Sequence, residues 1–306
     1  MNQVKKIAIL GATSQIGKGL ICEWAGKYSL RLFGRKPESI ESFLKETKIS
    51  ADGIKFFSYK NFSNDSYDLI INATGPGDPR AIKELGKEIL ESSQMYDDFV
   101  LKYLEKNLQT VYIFLSTGAI YGLNYDELDR HEKLLDIKDF YPLSKAIIEA
   151  KHRSFPKYKI ADIRIFGYFS RFISPEGGFL LSELTNCLLN KKIFQTTKSN
   201  FVRDYIGQKD LGGFIEYLIN HNALNGSHDI FSSAPTTKSQ IINLFQQYGL
   251  RYKILDGEKF DEITIPDKIS PKKLNQIDLP IRTRSEDLIS QVLSEFKLSA
   301  TGIHIA

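Results

Sequence analysis

The chain has 306 residues, 25% of them charged and 42% hydrophobic, so it is long enough to bury a large core and leaves little room for extended disordered tails. Its 41 basic and 37 acidic residues leave a net charge of only +4, spread without a long basic block, which argues against a nucleic-acid partner. The cysteines, Cys22 and Cys187, lie far apart and offer neither a disulfide framework nor a metal cluster; both read as buried small apolar residues, and a reducing, cytoplasmic setting is expected.

The apolar run Val4 to Leu10 is of strand length and leads into a glycine turn instead of a cleavage site. No other stretch reaches the length of a membrane span, so no membrane partner is expected. Short apolar runs then alternate with amphipathic stretches. Lys6 to Leu10, Ser29 to Phe33, Ile54 to Ser58, Asp68 to Asn72, Val111 to Ser116 and Ile160 to Phe166 are candidate strands. Between them, Ile16, Leu20, Ile21 and Trp24 mark one helix face, and Leu85, Ile89, Tyr96, Phe99, Val100, Tyr103 and Leu104 another. The alternation predicts an α/β fold, a Rossmann-type doubly wound parallel sheet covered by helices. Near residue 170 it fades, and Ser174-Pro175-Glu176-Gly177-Gly178 is a turn-rich break. The expected division is a dinucleotide-binding domain over 1–170 and a mainly substrate-binding C-terminal lobe over 171–306, some of whose segments return to the first domain. In that lobe a helix is expected from Phe179 to Asn190, with strands near Phe201 to Ile206 and Asp229 to Ser232.

Gly11-Ala12-Thr13-Ser14-Gln15-Ile16-Gly17 follows the first strand and opens the first helix, the context a dinucleotide-binding turn requires. Gly11 would permit the tight turn and Gly17 the close packing of helix on sheet, with the helix-start amides of Thr13, Ser14, Gln15 and Ile16 facing a pyrophosphate. Ser14 stands where the three-glycine form of this motif has its middle glycine; its hydroxyl is expected to bond a phosphate oxygen. The second strand ends in Leu32-Phe33-Gly34-Arg35-Lys36, without the carboxylate that binds a 2′-hydroxyl in NAD enzymes. Arg35 would instead pair with a 2′-phosphate, which favours NADP(H) over NAD; a solvated surface pair is the plainer reading.

Ser116-Thr117-Gly118-Ala119-Ile120-Tyr121-Gly122 follows the fifth strand, and Tyr141-Pro142-Leu143-Ser144-Lys145 begins an amphipathic helix. Four residues apart on a helix, Tyr141 and Lys145 emerge on one face, where an ammonium can stabilise a phenolate that exchanges a proton at a carbonyl or hydroxyl carbon. The histidines 131, 152, 221, 228 and 304 show no metal-ligand spacing; a solvent or loop role is expected for each, and no metal site. Asp126, Glu127 and Asp129 read as loop surface charges.

With these motifs in this order, the chain resembles the extended short-chain dehydrogenase/reductase superfamily, in its nucleotide-sugar epimerase, dehydratase and reductase branch. The resemblance runs over nearly the whole chain and continues through Ile71-Asn72-Ala73-Thr74-Gly75, Asp162 to Tyr168 and Val202-Arg203-Asp204-Tyr205-Ile206. It implies that Thr117 bonds the reacting oxygen, Tyr141 transfers its proton and Lys145 binds the nicotinamide ribose. It further implies that Asn72, Ala73 and Thr74 line the cofactor, that Phe166 and Gly167 lie near the nicotinamide, and that Arg203 grips the substrate diphosphate. An internal Arg203–Asp204 ion pair is the competing view. A homodimer through helices over Leu85 to Leu104 and Tyr141 to Phe155 is also implied. Phe169, Ser170 and Arg171 are specificity candidates only by proximity to the cofactor motif.

Dehydratases of the family place an Asp-Glu pair after the threonine, since elimination needs an additional acid and base. Here Gly118 and Ala119 stand there, which disfavours 4,6-dehydration. NADPH-dependent reduction of a keto group on a nucleotide-linked deoxysugar, as used for bacterial surface polysaccharide, is the leading expectation. An NAD-dependent nucleotide-sugar 4-epimerase is the alternative, and from another class a catalytically silent NADP-sensing or scaffolding protein.

Overall fold

The computed structural model of the chain describes residues 5–121, 137–261 and 281–300. The first half runs β1 (Lys6–Leu10), α1 (Gln15–Trp24), β2 (Ser29–Phe33), α2 (Pro37–Glu46), β3 (Ile54–Phe57), β4 (Leu69–Asn72), α3 (Pro79–Leu85), α4 (Glu88–Leu104) and β5 (Val111–Thr117). There follow α5 (Phe140–His152), β6 (Lys159–Ile165), α6 (Leu180–Leu189), β7 (Ile193–Thr196), β8 (Val202–Arg203) and α7 (Gln208–Asn220). The chain continues through β9 (Gly226–Ile230), β10 (Thr236–Thr237), α8 (Lys238–Gln247), β11 (Arg251–Ile254) and α9 (Ser285–Ala300).

Seven strands form one sheet in the order β3-β2-β1-β4-β5-β6-β9, every neighbouring pair parallel. Parallel strands need helical crossovers, so both faces are covered and the central strands read as unbroken apolar runs: all four residues of β4 and all seven of β5 are buried. The pleat divides them. Ile7, Ile9, Ile71 and Ile113 face the layer containing α1 and α7, while Ala8, Leu10, Ile70 and Tyr112 face that of α4 and α5. Strand order reverses between β1 and β4, and in such sheets ligands bind in the crevice beyond the strand ends at that switch point.

A third core, built on Phe169, Leu181, Leu184, Ile241, Phe245 and Leu293, lies under α6, α8 and α9 and forms the smaller lobe. Segments beyond residue 170 also return to the sheet. β9 becomes its seventh strand, and α7 packs on α1, where Trp24 Nε1 donates to Glu216 at 3.1 Å.

The structure departs from the sequence reading at several elements. The helix expected over Leu85 to Leu104 is two helices, because Gly86 at φ +50° closes α3; Leu85 is therefore exposed instead of sharing the packed face of α4. The strand expected over Phe201 to Ile206 is only the two residues of β8, since Asp204 and Tyr205 turn inward against Gly167. The late strand lies at Gly226–Ile230, with Ser232 beyond its end. Cys22 and Cys187 are half-buried and unpaired, each packed at the margin of a core.

Candidate active site

Gly11 ends β1 at φ +73°, and a Cβ there would lie 2.5 Å from the Ala73 carbonyl oxygen, so the first turn needs glycine for conformation and for space. Ser14 is the N-cap of α1: its Oγ accepts the Gly17 amide at 3.0 Å, a bond of about 1 kcal/mol in typical helices. The cap uses the oxygen of Ser14 and leaves its hydroxyl proton available to a phosphate oxygen. Gly17 is small because the turn itself folds over it, its Cβ position lying 2.5 Å from the Gly11 carbonyl. Thr13 is exposed, and Gln15 and Ile16 form the half-buried first turn. The opening of α1 thus faces the crevice between β1 and β4, where amide groups and helix dipole suit an anion.

Arg35 stands exposed just beyond β2 and makes no ion pair among the described residues. Its charge reaches the hydroxyl of Tyr59, which burial pushes up to about 12 while Arg35 draws it down. That hydroxyl accepts the Gly11 amide at 3.1 Å, so Arg35 lies on the flank of the glycine turn. Tyr59 was not foreseen; its approach to Gly11 spans 48 residues and leaves no local pattern.

Thr117 is the buried last residue of β5, and its Oγ1 accepts the Ala119 amide at 3.2 Å. Tyr141, half-buried in the first turn of α5, is hydrogen-bonded to Thr117; burial pushes the phenol up and the Thr117 bond opposes this. One turn on, Lys145 is 4% exposed and its Nζ donates to the Leu115 carbonyl at 3.0 Å, 4.5 Å from the centre of the Phe114 ring. Burial lowers the lysine to about 8, against the pull of Asp97 and Glu149. The structure therefore brings Thr117, Tyr141 and Lys145 together at the end of β5.

A second turn on, Glu149 accepts the Ser116 hydroxyl at 2.5 Å and receives Arg164 Nε on both oxygens, at 2.9 and 3.1 Å. Tyr121 donates to Asp229 at 2.8 and 2.9 Å. These bonds lock β5, α5, β6 and β9 behind Thr117, Tyr141 and Lys145. Glu149 continues along α5 the four-residue spacing of Tyr141 and Lys145, which is its one mark in the sequence.

The loop after β4 crosses the same crevice. Asn72 Oδ1 accepts both the amide and the hydroxyl of Thr74, at 3.1 and 2.6 Å; Ala73 lies against Gly11, and a Cβ on Gly75 would be 3.9 Å from the Lys145 ammonium. The Phe166 ring occupies the space into which a side chain at Gly118 would project, and it stacks on Tyr121 with centroids 6.1 Å apart. Gly167 is pressed against the Asp204 carbonyl and the Tyr205 ring, which seats the Val202–Ile206 segment beside Phe166.

Arg203 and Asp204 part company here. The Asp204 carboxylate is buried on the amide and hydroxyl of Ser232, both at 2.8 Å, whereas the exposed Arg203 guanidinium lies 4.1 Å above the Phe201 ring. Phe169 is fully buried in the small-lobe core, Ser170 is buried, and Arg171 lies over Phe172 near Glu295.

The expectation for His152 is corrected. It is enclosed, not solvent-facing, with Nε2 2.8 Å from Asp97 and Nδ1 2.6 Å from Asp162, because α4 and β6 each present a carboxylate to it. His228 is likewise half-buried, in β9, while His221 is exposed at the end of α7. Asp126, Glu127, Asp129, His131 and His304 lie outside the described residues. Among the described residues no group of three or more His, Cys, Asp or Glu is arranged to hold a metal, and no helix is long and apolar enough to cross a membrane.

Sheet order, glycine turn and the Thr-Tyr-Lys cluster define a dinucleotide-binding α/β enzyme class. The profile of the NAD dependent epimerase/dehydratase family matches residues 7–232, and the chain belongs to that family. A search of curated proteins by sequence gives no match. Among solved structures, a dTDP-glucose 4,6-dehydratase from Bacillus anthracis in complex with NAD superposes with a TM-score of 0.74 at 13% identity, covering 97% of this chain and 98% of that one. A UDP-glucose 4-epimerase from Bifidobacterium longum with NAD+ and UDP gives 0.70 at 16%, covering 97% and 100%. An epimerase from Methanothermobacter thermautotrophicus gives 0.73 at 14%, covering 98% and 94%. At these identities the likeness is one of fold.

Proposed function

We propose that the chain reduces a keto group on a nucleotide-linked deoxysugar with NADPH, in the cytoplasm, as a step toward bacterial surface polysaccharide. The observation that carries this reading is the environment of Thr117: the next two residues are Gly118 and Ala119, and the Phe166 ring fills the space beside Gly118. Elimination of water requires an additional acid and base there, and Gly118 and Ala119 supply neither. Hydride chemistry at a single carbon requires only Thr117, Tyr141 and Lys145.

The glycine cradle, the capped start of α1 and the Asn72–Gly75 loop fit a dinucleotide in donor set and in space. When bound, the nicotinamide supplies the hydride. Thr117 and Tyr141 hold the carbonyl oxygen, and Tyr141 gives it the proton. Lys145 orients the ribose and favours the phenolate left behind. Arg203, its guanidinium 4.1 Å over the Phe201 ring, receives the diphosphate, and Arg35 selects the 2′-phosphate.

The test is a screen of cofactor-stripped enzyme with NADPH and with NADH against 4-keto sugars carried on CDP, dTDP, UDP and GDP, following absorbance of the reduced nicotinamide. Oxidation of NADPH with one carrier, with Arg203→Ala raising KM and Arg35→Ala erasing the preference over NADH, is the expected result. No oxidation with any carrier, together with tightly retained NAD and interconversion of 4-hydroxyl epimers, would make the enzyme a 4-epimerase instead.

A further inference from the structure

The Asn72 side chain is the hinge of the loop that lies between the glycine turn and Lys145, and an amide can be seated in two orientations that differ in which end donates. Its orientation here is fixed from both ends, by the Thr74 amide on the carbonyl side and by a buried chain on the NH2 side. Asn72 Nδ2 faces the Tyr112 hydroxyl at 2.9 Å, and that hydroxyl faces Asp97 Oδ1 at 3.0 Å. Asp97 in turn meets His152 Nε2 at 2.8 Å and Lys151 Nζ at 2.5 Å, and His152 Nδ1 meets Asp162 at 2.6 Å. Asn72, Tyr112, Asp97, His152 and Asp162 are all buried, so water offers none of them an alternative partner.

Polarity is forced at every link. A carboxylate only accepts, and two cations hold Asp97 in that state: burial works against its charge, but the bonds from His152 and Lys151 keep the carboxyl below its ordinary range. Tyr112 must therefore donate to Asp97, and its oxygen is left to accept. Only the NH2 end of Asn72 can satisfy that oxygen. The carbonyl end is then turned to Thr74, where it takes the amide at 3.1 Å and the hydroxyl at 2.6 Å.

We propose that Tyr112 and Asp97 are positioning residues for the cofactor loop, anchoring the NH2 end of the Asn72 amide and through it the course of Ala73, Thr74 and Gly75 past the dinucleotide. Neither touches the cofactor. Without the Tyr112 hydroxyl the buried NH2 end of Asn72 loses its acceptor, and the amide is held from the Thr74 side alone. The inference rests on the dinucleotide-binding reading of the loop.

The experiment measures dissociation constants of full-length wild type, Tyr112→Phe, Asn72→Ala and the double variant for NADPH and NADH by fluorescence titration, with thermal unfolding of each without cofactor. Tyr112→Phe is expected to weaken the preferred dinucleotide about five- to tenfold, the size of one hydrogen bond, with kcat at saturation nearly unchanged. Because Tyr112 acts through Asn72, the double variant should bind no more weakly than Asn72→Ala alone. Asp97→Asn, where it folds, should repeat the loss, since an amide no longer fixes the direction of the Tyr112 bond. Wild-type affinity in Tyr112→Phe, or additive losses in the double variant, would overturn the proposal. A wild type that binds neither dinucleotide would instead overturn the reading it rests on.

Discussion

Tyr141 and Lys145 are pushed in opposite directions by the same burial. The phenol is driven up, so it holds its proton at neutral pH as an acid should, while the ammonium is driven down to about 8. A lysine lowered in this way is charged below about pH 8 and neutral above it. If its charge is what holds the ribose and favours the phenolate, kcat/KM for reduction is level below that point and declines as pH rises through it. Lys145→Arg, whose guanidinium does not titrate in this range, should be slower but flat over the same interval. A wild-type profile that stays level to about pH 9.5, well past that lysine's titration, would separate the lysine charge from turnover. Tyr141→Phe should lower kcat by about a hundred- to ten-thousand-fold, with the cofactor dissociation constant unmoved. These residues were legible because a local spacing brings them together. Tyr59 on the Gly11 amide and Phe166 over Gly118 were not, since only the folded chain sets those contacts.

At the scale of elements, α4, α5 and β6 are joined by a buried charge cluster. His152 of α5 meets Asp97 of α4 and Asp162 of β6; Lys151 and Arg153 lie on the outer oxygens of the two carboxylates, and the rings of Tyr112 and Phe114 on β5 pack against the imidazole. Burial alone would lower His152, but the bonds to Asp162 and Asp97 outweigh it and raise the imidazole to about 9. A histidine raised above its unfolded value of 6.5 contributes stability that is complete below that value and lost as pH climbs to about 9. The melting temperature should therefore fall between pH 6.5 and 9 in wild type. His152→Gln should be less stable at pH 6.5 by about 3–5 kcal/mol, since two buried carboxylates lose the cation they share and keep only Lys151 and Arg153 on their outer oxygens, and should show a much flatter pH dependence. An equal slope in both proteins would remove His152 as its source. The cluster was invisible in the sequence for a plain reason: the partners stand 55 and 10 residues from the histidine, and a polar residue on a helix reads as surface unless its neighbours are known.

The molecule as a whole was legible where its logic is local. The alternation of runs foretold the first six strands of the sheet, because strands buried on both faces must be apolar throughout. β9 escaped at its proper place: Gly226-Ser227-His228-Asp229-Ile230 is largely polar, and it joins the sheet edge because Ser227 and Asp229 are met by Glu149 and Tyr121. The outer faces of α4 and α5 carry the remaining question. Met95 on α4 is 57% exposed, and on α5 the exposed Ala150 follows half-buried Leu143 and Ile147 at helical spacing. Leu143, Ile147 and Ala150 lie on the helix that bears Tyr141 and Lys145, so a second copy docked on them and on Met95 would brace α5. The family resemblance implies such a dimer, and light scattering after size exclusion should give twice 34.9 kDa. Ile147→Glu combined with Met95→Glu should yield the monomer, because two carboxylates per subunit would be buried without partners. Activity should fall less than the association constant, since Thr117, Tyr141 and Lys145 come from one chain. A wild type that elutes at 34.9 kDa at micromolar concentration would leave those apolar positions to be explained within a single subunit.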